Sequence, residues 1–172
     1  MAELNKADGR KWKHGMLLGA VAVTGLLAAA AIPALATPGS GFSGNPSLAA
    51  VGTLDDVMAK ADKTDKWDAT LATKDTSTVG VDYLTIQPGG YSGWHTHTGI
   101  TLITITSGQV TWYDGSGCQP KTYHAGDSFV EPANHVHNVT NPFGNTATIT
   151  AVQIRPQGTG PRIDAPAPSC AA

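Results

Sequence analysis

From Thr76 onward the chain has the texture of β-structure. The run "TVGVDYLTI" at 78–86 alternates polar and apolar residues and is broken by "PGG" at 88–90. Further runs follow at close, even spacing: "ITLITIT" at 100–106, "QVTWYD" at 109–114, "SFVE" at 128–131, "HVHNVTN" at 135–141 and "ATITAVQIRP" at 147–156. Gly, Pro or Asn separates each from the next. Alternate residues of a strand point to opposite faces, so this pattern predicts short half-buried strands in an all-β sandwich or barrel. No helical period is sustained after residue 75. Trp94, Trp112, Tyr83 and Phe129 are expected in the core or the wall of a cavity.

Upstream the pattern changes twice. In "TLDDVMAKADKTDKW", Thr53 and Asp56 resemble a capping box and Leu54, Val57, Met58 and Ala61 follow helical spacing, which predicts a short helix or turn within a 53–75 lead-in. Residues 37–52 are small, polar and Gly/Pro-rich and read as a flexible linker. Residues 1–36 are different again. Lys6, Arg10, Lys11 and Lys13 precede an apolar run that ends in Ala34-Leu35-Ala36, a small-x-small site suited to signal peptidase. The run also approaches the ~20 apolar residues needed to span a bilayer. Cleaved signal peptide or retained membrane anchor, either reading puts the following domain outside the cytoplasm, secreted or on the outer face of the membrane.

Without residues 1–36 the chain has seven Lys and Arg against eleven Asp and Glu, a net charge of −4. That excludes a basic footprint for nucleic acid and gives no attraction to anionic lipid. Cys118 and Cys170 both fall in the exported part. An even count in an oxidising compartment predicts a disulfide, which would tie down the extended tail at 157–172. The loop it closes, about fifty residues, is worth roughly 3–4 kcal/mol in the chain-entropy treatment.

The chemistry lies in two histidine pairs, His95/His97 and His135/His137. Residues i and i+2 of a strand share a face with Cα atoms about 6.5 Å apart, which lets two imidazoles converge on one ion. His124 and Glu131 stand near strand ends and read as surface or rim residues.

The spacings around these histidines resemble the cupins, the small double-stranded β-helix family. Gly89, His95, His97 and Gly108 match the first cupin motif, but its glutamate position holds Thr101. Gly126, Pro132, His137 and Asn141 match the second, with Asn134 in place of a glycine. Asn is the usual substitute where a left-handed backbone is needed. The resemblance covers 76–156, is similar to small exported cupins of actinobacteria, and implies a jelly-roll barrel. It also implies metal ligands His95, His97 and His137, with Thr101 orienting a water and His135 as a fourth ligand, an outer hydrogen-bond partner or a mouth residue. Three neutral imidazoles without an acid suit zinc, iron, nickel or copper and disfavour Mn(II), which prefers oxygen ligands, and the resemblance implies iron first among them. The implied activity is that of a three-histidine Fe(II) dioxygenase of the quercetinase or thiol class acting on a small chelating substrate. A non-catalytic module that captures a ligand or metal, and a purely structural envelope protein, are the other readings. Cupins often pair through their sheets, so a homodimer is expected.

Overall fold

A computed structural model describes residues 38–44, 49–61, 64 and 66–171. The expected signal or anchor segment lies outside the described residues. Among those residues no helix is long and apolar enough to cross a membrane.

The described residues form thirteen strands. Four precede the main body: β1 (Ser40–Gly44), β2 (Ala50–Leu54), β3 (Val57–Lys60) and β4 (Thr70–Thr73). The body comprises β5 (Ser77–Tyr91), β6 (His95–Thr96), β7 (Ile100–Ser107), β8 (Gln109–Asp114), β9 (Pro120–His124), β10 (Ser128–Glu131), β11 (His137–Thr140) and β12 (Ala147–Pro156). β13 (Ile163–Asp164) and a 3₁₀ turn at Ser169–Ala171 follow. Eleven strands form one antiparallel sheet along the path β10-β7-β12-β5-β11-β6-β13, with β1 and β2 on β5 and β8 joining β11 to β9. The sheet curls into a nearly closed barrel, as the alternation predicted.

Inward positions follow the two-residue period. Ala147, Ile149, Ala151 and Gln153 of β12 are buried, as are Thr101, Ile103 and Ile105 of β7 and Phe129 and Glu131 of β10. Register turns these into rows across three strands. Phe129, Ile103 and Ala151 form an apolar row, and the next row toward the mouth is polar: Glu131, Thr101 and Gln153. Ile86, Val110 and Val139 close the core from the other strands. Trp94 and Phe129 are buried and Trp112 packs against the core, but Tyr83 is exposed.

Two expectations are corrected. Among its described residues the lead-in forms no helix: Ala50–Leu54 lies on β5, pairing Thr53 with Thr78, and β3 and β4 make a separate antiparallel pair. A one-turn capping pattern is a weak local preference, and the open edge of β5 supplies the backbone partners that decide the outcome. Part of the expected linker is also ordered, since Ser40–Gly44 runs antiparallel to β5.

The motif backbone has identifiable causes. Gly108 has φ 70° in the turn from β7 to β8, and a Cβ there would lie 2.7 Å from the Thr146 carbonyl oxygen. Asn134 has φ 58°, the left-handed conformation for which Asn replaces Gly. Asn141 is fully buried, and its Nδ2 donates to the carbonyls of Ile86 and Asn145, both at 2.9 Å.

Candidate metal centre

His95 and His137 meet as a register pair of β6 and β11. His97 follows just past the end of β6. All three rings are buried. Their centroids lie 4.4 Å (His95–His137), 4.9 Å (His95–His97) and 5.1 Å (His97–His137) apart. One ring nitrogen of each lies within 4.8 Å of the others, and these three form the only cluster of metal-type donors among the described residues.

Each ring is oriented in the same way. Nδ1 of His95 lies 2.8 Å from the Gly93 carbonyl, Nδ1 of His97 lies 2.7 Å from that of Pro161, and Nδ1 of His137 lies 2.8 Å from that of His135. A carbonyl can only accept, so Nδ1 carries the proton and donates. In the neutral ring Nε2 then keeps its lone pair, the state a metal ligand requires. Burial, followed by the adjacent His137, pulls the His95 pKa down to about 3, so this ring stays neutral well into acid.

The sequence reading missed one residue. Glu131, read as a rim acid, is 2% exposed and faces the cluster. Its Oε2 is 3.0 Å from Nε2 of His97, and its Oε1 is 3.2 Å from Nε2 of His137. The expected acid-free site is therefore incorrect. Burial alone would raise the Glu131 pKa, but in the ion-free site hydrogen bonds and positive charge from the His137 and His97 rings outweigh it and hold the carboxyl at about 2. The available signal was period two: in "SFVE", Glu131 shares a face with Phe129. With only four residues, however, either face could have been the inner one.

These donors fit a divalent ion. Nε2 of His137 is fully buried and makes no well-formed hydrogen bond, despite the nearby carboxylate oxygen. If His97 and His137 are neutral with the proton on Nδ1, their Nε2 lone pairs and the Glu131 oxygens are all acceptors facing one another. Such an arrangement calls for a cation among them.

The other expected residues fall elsewhere. His135 is not in the cluster. Its Nε2 is 3.1 Å from Asp114 Oδ1 and its ring stacks on Trp112, while its backbone carbonyl holds His137. Strand geometry begins only at His137, after the turn at Asn134, so the two-residue period does not carry His135 inward. Thr101 is buried and its hydroxyl has no hydrogen-bond partner. His124 is exposed beside Asp127.

A cavity of about 280 Å³ opens on the cluster. Phe42, Leu84, Ile103, Val139 and Ile149 give it apolar walls, and the mouth includes Arg162. Arg162 belongs to the tail, which the expected disulfide does tie down: Cys118 and Cys170 are bonded, with Cα atoms 5.7 Å apart. The tail is more than a tether. β13 pairs with β6, setting Asp164 opposite His95, and Pro161 supplies the carbonyl that orients His97.

A curled antiparallel barrel with a buried histidine cluster at its mouth defines a double-stranded β-helix protein of the metal-site type. Residues 82–153 match the family model of the Cupin domain, a span that holds both motifs in register and supports membership of the cupin superfamily. Among solved structures, the chain is similar to a Cupin 2 conserved barrel domain protein from Salinispora arenicola CNS-205. The identity is 24% and the TM-score 0.41, covering 44% of this chain and 61% of that one. It is also similar to a cupin domain from Bordetella pertussis Tohama I, with 20% identity, a TM-score of 0.41, and 59% and 94% covered. An uncharacterized conserved protein with a double-stranded β-helix domain from Klebsiella pneumoniae is a third, with 21% identity, a TM-score of 0.43, and 64% and 84% covered. No curated protein matches the chain.

Proposed function

We propose that the chain is a metal-binding cupin-domain protein acting outside the cytoplasmic membrane. In this reading it holds a divalent transition ion, iron first, on His95, His97 and His137. It acts as a dioxygenase of the quercetinase or thiol class on a small chelating substrate. The observation that carries the reading is the convergence of three buried rings, each with Nδ1 committed to a backbone carbonyl.

The ion, when bound, supplies open coordination positions where dioxygen and a chelating anion can meet. The protein's own part is positional. The Gly93, Pro161 and His135 carbonyls fix the rings before anything binds, which limits the reorganisation that binding requires. The walls formed by Phe42, Leu84, Ile103, Val139 and Ile149 exclude water and accept an apolar body. The Cys118–Cys170 bond supports an oxidising compartment, in keeping with export. Exposed Ile100, Leu102 and Val130 on the outer face of β7 and β10 support pairing of two copies.

A second reading, a non-catalytic module that captures a small ligand or a metal, is favoured by one observation. Both oxygens of Glu131, the acid beside the cluster, already face His97 and His137 and are not free to act as a general base. Oxygen uptake divides the two. The purified full-length chain loaded with Fe(II) is expected to consume oxygen with a flavonol or a small thiol, and His97→Ala is expected to abolish the uptake. Stoichiometric metal with no uptake leaves the metal-capturing module, and no metal at all refutes both the dioxygenase and metal capture, leaving only a module for a small ligand.

A further inference from the structure

We propose that Glu131 is a direct ligand of the metal centre, supplying from β10 the carboxylate that the first motif would place at Thr101 on β7. The inference rests on the metal-binding reading and goes beyond it. It changes the donor set from three nitrogens to three nitrogens and one oxygen, and it places the acid on a different strand.

Register makes the exchange possible. Glu131 and Thr101 are direct partners in the antiparallel β10–β7 pair. Both are inward residues and both are almost fully buried. Directly opposed residues have Cβ atoms only about 4.5–5.5 Å apart. A glutamate has enough reach to cover that offset, so the same cavity can receive its acid from either side of the ladder. Thr101 is what remains at the vacated position, a short side chain whose hydroxyl finds no partner.

Burial and chemistry point the same way. A carboxylate 2% exposed needs a compensating charge or donor. The partners Glu131 has are the Nε2 atoms of His97 and His137. In the neutral rings, whose Nδ1 protons are committed to Pro161 and His135, those are the nitrogens that keep lone pairs for an ion. One oxygen faces each ring, so a single cation set among them satisfies the carboxylate and both imidazoles together. The carboxylate lowers the formal charge of the occupied site from +2 to +1. It also adds a hard oxygen donor, which extends the acceptable ions to Mn(II) and removes the argument against that metal drawn from the sequence.

The experiment uses Co(II), whose visible absorption reports the number and type of ligands, on the full-length chain. Affinity is measured by chelator competition, and folding of each variant by circular dichroism. Glu131→Gln keeps the shape and removes the anionic donor. It should weaken Co(II) binding by more than about 100-fold, beyond the 10–100-fold expected of an outer-shell partner, and should change the spectrum. Glu131→Thr should do the same. Adding Thr101→Glu to Glu131→Thr returns the acid to the opposite strand and should restore the spectrum and most of the affinity. An unchanged spectrum and affinity in Glu131→Gln would overturn the assignment while leaving the histidine centre intact. So would a double variant that binds no better than Glu131→Thr. Failure of the unaltered chain to bind Co(II) would instead remove the metal centre itself.

Discussion

Pro161 and His97 are 64 residues apart in sequence, yet the carbonyl of one accepts the Nδ1–H of the other at 2.7 Å. The tail that carries Pro161 is held by β13 and by the Cys118–Cys170 bond. Loosening the tail therefore releases one ring of the cluster. Cys118→Ser/Cys170→Ser should lower unfolding stability by roughly 3–4 kcal/mol and weaken metal binding by at least tenfold, while the strand signal in circular dichroism persists. Equal metal affinity in oxidised and reduced protein would show that the tail does not position His97.

The two members of the second histidine pair should behave differently. His137→Ala removes a buried ring from the cluster and should abolish stoichiometric metal, measured by elemental analysis. His135→Ala removes a half-exposed ring turned to Asp114, while its carbonyl still holds His137. It should leave stoichiometry unchanged and affinity within about tenfold.

Acid should destabilise the metal-free protein. His95 titrates at about 3 in the fold against an ordinary 6.5, so between those values only the unfolded chain gains the proton. Glu131 titrates at about 2 against 4.5, so below 4.5 it too is protonated first in the unfolded chain. Both terms have the same sign: stability is complete above pH 6.5 and is lost as pH falls. One proton taken up by the unfolded state corresponds to a slope of about 1.4 kcal/mol per pH unit. Urea unfolding between pH 7 and 4.5, with metal chelated, should show a slope approaching that value, and His95→Asn should flatten it.

Two isoleucines of β7 separate core from surface. Ile105 is 1% exposed and Ile100 is 56% exposed. Ile105→Ala should cost about 2–5 kcal/mol in unfolding free energy through the cavity it leaves. Ile100→Ala should stay within about 0.5 kcal/mol under conditions where the chain is monomeric.

Most of the barrel was legible because β12 and β7 are long enough for alternation to mark a face. The clustered rings were legible because their spacing matched a motif, and Asn134 because its conformation restricts the choice of residue. The cysteine pair followed from count and compartment. Other features depend on contacts between distant segments. Thr53–Asp56 looked like a helix cap, and only the free edge of β5 makes that segment a strand. The inward turn of Glu131 is set by pairing with Thr101, and the role of Pro161 by a tail that returns across β6. None of these is decided by a local signature: even the two-residue period at Glu131 leaves open which face is inward.

The ten-pair ladder between β5 and β12 is the longest among the described residues and includes no histidine. None of the three clustered rings takes part in that pairing, so the spine is expected to form whether or not an ion is bound. In a hydrogen-exchange time course this would show as one slow, metal-indifferent spine beneath a rim whose protection rises only upon loading.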